Sequence, residues 1–177
     1  MGLLRGLCWR VMDECSRWRL RRQVSSLGEG TRVMGMPIVT RSPDSIIEIG
    51  EGVVLCSRSE STALGVAHPV VLRTFASGAR ITIGRDTGMS GTTVCAATSV
   101  SIGEGCLFGA DVQVTDTDFH AIAPEGRRYA REGIQSRAVC IGNNVFVGAR
   151  ALILKGASIG DNSVIGAGSV VVGAIPP

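Results

Sequence analysis

Residues 141–176 read IGNNVF, VGARAL, ILKGAS, IGDNSV, IGAGSV and VVGAIP when cut into blocks of six. The first position of each block is aliphatic: Ile141, Val147, Ile153, Ile159, Ile165 and Val171. The second is Gly142, Gly148, Leu154, Gly160, Gly166 and Val172, and the fifth is mostly small (Val145, Ala151, Ala157, Ser163, Ser169, Ile175). A period of six sustained over this length marks a repeat architecture. Six is a multiple of two, so side chains alternate within a block as on a strand. The apolar positions do not recur at the helical spacings of three and four. Each block therefore reads as one short strand and a corner, and three blocks make a triangular coil of about eighteen residues. Stacked coils align the block-opening residues one above another, and each buried aliphatic side chain contributes roughly 1.5–3 kcal/mol. The glycines suit corners, where positive φ or a close backbone approach is needed.

Upstream, the period is legible from Ile49-Gly50, with Val53 fifth and Leu55 opening the next block. It breaks between Arg58 and Arg73, around His68-Pro69, which predicts a loop or an imperfect coil. It returns with blocks opening at Ile83, Met89 and Cys95, shifts by one residue near Ser101, and resumes at Ile102, Phe108 and Val114. The next block opens 27 residues later, at Ile141. That gap is not a multiple of six, so a loop leaves the solenoid between about Thr115 and Ala138. Residues 23–48 hold Gly28, Gly30, Gly35, Pro37 and Pro43 and read as degenerate first coils. The predicted organisation is a helix over 1–22 and an all-β repeat domain over 23–177 with loop 115–138.

In the first segment Leu4, Leu7, Val11, Cys15 and Trp18 form one helical stripe, with Arg10, Arg17, Arg19 and Arg21 largely off it. Two readings stand: a cap on the open end of the solenoid, or a basic amphipathic helix resting on a membrane surface. Residues 1–22 carry six arginines against Asp13 and Glu14, so they hold more than the whole chain's net charge of +3. The remainder is close to neutral, which argues against a nucleic-acid-binding surface over the whole protein. No apolar run is long enough to span a bilayer, and no secretory signal is legible. The 24 glycines and scarce aromatics fit a thin solenoid with an aliphatic interior. Cys8, Cys15, Cys56, Cys95, Cys106 and Cys140 lack CxxC spacing and read as reduced thiols of a cytoplasmic protein, with Cys95 and Cys106 facing inward.

Chemistry-bearing residues gather where the period fails. The loop opens Asp116-Thr117-Asp118-Phe119-His120 and continues through Glu125, Arg127, Arg128, Arg131 and Arg137. Acyl transfer to a hydroxyl needs a base for the hydroxyl proton, and imidazole suits that role near neutral pH. A carboxylate can orient such a ring. Spacing alone does not pair Asp118 with His120.

The string DTDFH, followed by VCIGNNVFVGA and IGAGSVVV, resembles the hexapeptide-repeat sugar O-acetyltransferases: the maltose, galactoside, nodulation, O-antigen and capsule enzymes. The upstream ITIGRDTGMSGTTV is similar to the capsule and O-antigen members, and together the match spans about residues 46–176. The resemblance implies a left-handed parallel β-helix, a homotrimer, and acetyl-CoA lying in a groove between two subunits, with no metal. It implies His120 as general base; direct attack by the acceptor hydroxyl is expected because no cysteine or serine stands beside a histidine in the sequence. Asp118 then orients His120 or binds a sugar hydroxyl. It also implies contacts to acetyl-CoA from Phe146, Gly148, Ala149, Lys155, Ala167 and Gly168, and to the acceptor from Ser90 and Asp116. Two departures stand out. Phe146 occupies a position where the family often has tryptophan, and Gly173-Ala174 replace a terminal lysine, leaving Arg150, Lys155 or the loop arginines for the CoA phosphates. The expected function is acetyl transfer to a sugar hydroxyl in surface polysaccharide or glycoconjugate synthesis. That setting is cytoplasmic, at the inner face of the membrane if the helix rests there. The alternatives are N-acetylation of an amino nucleotide sugar and a non-catalytic solenoid scaffold. The zinc-dependent γ-carbonic anhydrases share the fold but need three histidines, and this chain has two, His68 and His120.

Overall fold

The computed structural model describes residues 2–130 and 132–177, with side chains from residue 6 onward. The Leu4 side chain and Arg131 therefore lie outside the described residues.

The repeat builds three parallel sheets along a triangular prism, the arrangement of a left-handed β-helix. The first face stacks Ser26–Leu27, Ile46–Ile49, Arg80–Ile83, Ser99–Ile102, Val139–Ile141, Ser158–Ile159 and Ala174–Ile175. The second stacks Arg32–Met34, Val54–Cys56, Gly88–Ser90, Leu107–Phe108, Phe146–Val147 and Val164–Ile165. The third stacks Ile38–Thr40, Val71–Thr74, Thr93–Ala96, Gln113–Thr115, Leu152–Ile153 and Val170–Val171. Register pairs Ile102 with Ile141 and Ile141 with Ile159, and likewise Phe108 with Val147 and Val147 with Ile165. These columns form one continuous core, and all six block-opening residues of the 141–176 run are buried.

Most second-position glycines, Gly142, Gly148 and Gly160 among them but not Gly166, are required by coil spacing rather than by dihedral angle. A Cβ on Gly148 would lie 2.4 Å from the amide nitrogen of Ala167 in the next coil, and one on Gly103 would lie 2.5 Å from the Gly142 carbonyl oxygen. Both obstacles are backbone, so a coil would have to move. Gly148→Ala is expected to lower stability by about 1–3 kcal/mol, the usual cost of overpacking, measured by chemical denaturation. An unchanged midpoint would show that the coils have slack.

One block differs from its sequence reading. Val94, not Cys95, takes the inward position beneath Val114, and the core cluster holds Val94 and Cys106. Cys95 points outward on the third face yet is only 6% exposed. Burial pushes its thiol up to about 11, opposed by the positive charge of Arg73. The single extra residue between Met89 and Ile102 is thus absorbed on the third face.

The N-terminal helix, Gly2–Gln23, lies against the first strand of each face and closes that end of the prism. It docks by a different stripe from the apolar one in the sequence. Ser16, Leu20 and the following Val24 are buried. Asp13 accepts from the Gly35 amide at 3.1 Å and pairs with Arg58 at 3.0 Å, and the Arg58 guanidinium stacks on Trp9. Leu7, Val11, Cys15 and Trp18 face solvent instead.

Candidate functional site

Two insertions leave the prism at different edges. Residues 57–70 bulge from the edge between the second and third faces, and residues 116–138 from the edge between the third and first. The second insertion is pinned at its base. Thr117 and Ser136 form an antiparallel bridge, and their hydroxyls lie 2.9 Å apart. The Arg137 amide donates to the Asp116 carbonyl at 2.8 Å, and the Asp118 amide to the Gln135 carbonyl at 3.1 Å.

Asp116 is fully buried. Its Oδ1 accepts from the Ala97 amide at 2.7 Å and its Oδ2 from the Thr98 amide at 2.6 Å. Burial raises its carboxyl above the usual carboxylate range, and the amide donors pull the other way. Its carboxyl is engaged with the backbone of the neighbouring coil rather than open to a ligand. Asp118 is paired not with His120 but with Lys155, through Oδ1 and Nζ. Its Oδ2 is buried and takes no hydrogen bond among the described residues. His120 is exposed, beyond Phe119, whose φ of 62° turns the chain and whose ring meets Phe75 edge-on at 5.4 Å. A small recess of 160 Å³ lies beside this group, lined by Thr117, Asp118, Arg137, Lys155 and Gly173 among others.

The residues expected at the cofactor lie mostly elsewhere. Ala149, Ala167 and Gly168 line a groove of about 420 Å³ at the second–third edge, together with Leu64, Asp111 and Arg150. Among the described residues, the Ala149 and Ala167 amides donate to no carbonyl of the chain. Gly148 is buried against Ala167 and supports the groove rather than lining it. Phe146 is 47% exposed on the adjoining second face, between Leu107 and Val164 in register. Ser90 opens the same edge one coil earlier, and its carbonyl accepts from Asp111 at 3.0 Å. Lys155 stands at the other edge, with the loop.

Sequence reasoning missed Asp111 and Leu64. The Asp111 Oδ1 accepts from the Ala67 amide at 2.9 Å and so ties the first insertion to the groove. The signal was present in the first break of the period, which falls at the same edge as the Ala149 and Ala167 corners.

The outward side chains differ by face. On the last coils the first face shows Ser101, Cys140, Ser158 and Ala174. The second shows Leu107, Phe146 and Val164, and the third shows Val170, all strongly exposed. The exposed apolar area therefore flanks the groove edge, and the polar face does not adjoin it.

Comparison with known proteins agrees with this architecture. Residues 141–173 match the profile described as bacterial transferase hexapeptide (six repeats), and residues 99–114 match the hexapeptide repeat of succinyl-transferase. The galactoside O-acetyltransferase of Escherichia coli (strain K12) is 37% identical over 107 residues, 58% of this chain and 50% of that protein. The galactoside O-acetyltransferase of Lactococcus lactis subsp. lactis (strain IL1403) is 40% identical over 79 residues, 45% of this chain and 37% of that protein. The chain thus spans half the length of these relatives or less. A hexapeptide-repeat acetyltransferase from Vibrio cholerae O1 biovar eltor, solved with acetyl coenzyme A, shares the fold at 23% identity. Its TM-score is 0.58, over 94% of this chain and 70% of that one. The repeat segments thus match hexapeptide-transferase profiles, and more than half of the chain is similar in sequence to a galactoside O-acetyltransferase.

Proposed function

We propose that this protein transfers acetyl from acetyl-CoA to a sugar hydroxyl, in surface polysaccharide or glycoconjugate synthesis, at sites shared between neighbouring copies of a homotrimer. The observation that carries the shared site is a separation. The groove of Ala149, Ala167 and Gly168 and the loop of His120 sit on different edges of one prism. One copy cannot bring them together, whereas a neighbour's loop can approach the groove. Leu107, Phe146, Val164 and Val170 supply apolar area beside that edge for such a contact. Closed rotational symmetry then repeats the same groove-to-loop contact at each interface.

At such a site the pantetheine arm runs along the groove, its amides facing the open N–H groups of Ala149 and Ala167. Arg150 is the cation on this wall for the CoA phosphates. A nitrogen of the His120 imidazole takes the proton of the acceptor hydroxyl as the oxygen attacks the thioester carbonyl. The C–S bond then breaks, CoA leaves as the thiol, and the proton returns from the ring. Asp118 Oδ2, buried and without a donor from the described residues, is the acceptor available to the ring or to a sugar hydroxyl. The galactoside O-acetyltransferase relatives support a sugar as acceptor.

A mixing experiment tests the shared site. His120→Ala removes the base, and Ala167→Trp fills the groove. Each variant alone is expected to be inactive. Co-refolded in equal amounts, they regain about a quarter of wild-type activity, because that fraction of interfaces pairs an intact loop with an intact groove. No recovery in verified mixed trimers would place base and groove in one chain and defeat the proposal.

A further inference from the structure

The N-terminal helix has two long faces, and the fold uses one. Trp9, Asp13, Ser16 and Leu20 lie toward the solenoid. On the opposite side Leu7, Val11, Cys15 and Trp18 recur at spacings of four, four and three. Leu7 is 62%, Val11 59% and Trp18 55% exposed. A cap should present a polar outer face to water; this one presents an apolar stripe. Arg10, Arg19, Arg21 and Arg22 are all exposed around it, and the Arg22 guanidinium lies 3.6 Å over the Trp18 ring. Val11, Cys15 and Trp18, with Arg10 and Glu14, line one shallow depression on this side. Asp13, the other carboxylate of the helix, is tied to Arg58 on the docked side, so the outer face is strongly positive.

We infer that this face docks on an anionic lipid surface, with the helix lying in the plane of the headgroups. Charge complementarity chooses the occupant. A second copy seated on the stripe would bring two arginine-bordered faces together, and that repulsion opposes an isologous contact. An anionic bilayer instead accepts the apolar stripe among its acyl chains and the arginines among its headgroups, with long side chains reaching the charged layer. Tryptophan is favoured at that boundary. No helix among the described residues is long and apolar enough to cross a membrane, so the contact is peripheral. This inference is independent of the acetyl-transfer reading, since none of its residues lies at the groove or the loop.

Co-sedimentation of the full chain with vesicles tests it. Equimolar phosphatidylglycerol and phosphatidylcholine should pellet the protein, and phosphatidylcholine alone should not. About 0.5 M salt should release it, since screening shortens the reach of the arginines. Trp18→Glu and Val11→Glu should each weaken partitioning by about tenfold or more. Arg19→Gln and Arg21→Gln should weaken it by about fivefold each. These side chains are exposed, so melting temperatures should stay at the wild-type value. Should Trp18→Glu fail to fold, the two arginine variants carry the test. Wild-type protein remaining in the supernatant with both vesicle types would overturn the inference. So would equal binding to both, or a Trp18→Glu variant that changes oligomeric mass in light scattering while vesicle binding is unaffected.

Discussion

Alanine in place of His120 is expected to lower turnover of acetyl-CoA with a sugar acceptor by about 10²–10⁴-fold, the usual contribution of a general base. The fold gives this test a clean reading. His120 is exposed and outside the core, so its removal leaves no cavity and no unpaired buried group. The groove proposed for acetyl-CoA lies on another edge of the same chain, so calorimetric affinity for CoA should hold within about threefold, a change of less than 1 kcal/mol. A loss of kcat with binding and melting temperature intact would assign His120 to the chemical step. A near-normal kcat in folded protein would remove it from the mechanism and return attention to Asp118 and Lys155.

The second large effect falls on stability. Asp116→Ala is expected to cost about 2–4 kcal/mol, because it removes a buried carboxylate's hydrogen bonds to two backbone amides at once. Asp116→Asn keeps one acceptor oxygen and places an N–H₂ group against the other amide, so about half of that loss should remain. Both variants should loosen the base of the 116–138 insertion, since the Asp116 carbonyl also holds the Arg137 amide. Denaturant titration gives the size of the effect, and its pH dependence gives the sign. Burial holds the Asp116 carboxyl above its ordinary range, so the folded chain keeps this proton where the unfolded chain has released it. Stability should therefore decline as pH rises through the window between the two values, and the alanine variant should lack that component. A wild-type denaturation midpoint for Asp116→Ala, with weaker sugar binding, would instead make Asp116 an acceptor contact.

The solenoid was readable because its contacts are periodic. Ile141 stacks on Ile159, and Phe108 on Val147, as repeat registers require. The site was less readable because its contacts are not. Asp118 meets Lys155 from 37 positions away, and neither residue breaks a pattern that would announce the pair. Asp116 is expected at the acceptor through the family resemblance. Its partners are amides at a corner of the previous coil, which no spacing rule identifies. The helix misled for another reason. Its docking stripe contains Asp13 and Ser16, so hydropathy points to the opposite side. Ser16 bonds to the Met12 carbonyl of its own helix at 2.9 Å, and Asp13 is neutralised by Arg58. Polar side chains satisfied in this way pack as core, leaving the apolar stripe outside. Cys95 misled by being hydrophobic beside Val94, where a one-residue shift changes which of the two faces inward.

The base of the second insertion has a further consequence, concerning how easily such a scaffold acquires new loops. Strands on either side of residues 116–138 remain in register, Val114 paired with Ile153 before the insertion and Ile141 with Ile102 and Ile159 after it. Closure entropy grows only with the logarithm of length, so lengthening this turn of the coil costs the folded state about 0.7 kcal/mol. Two backbone hydrogen bonds at the pinned base are of sufficient size to offset that. The prism can therefore lengthen, shorten or exchange a loop at the two edges that carry insertions with little penalty to assembly. Within such a scaffold, acceptor choice can diverge faster than the coils that hold it.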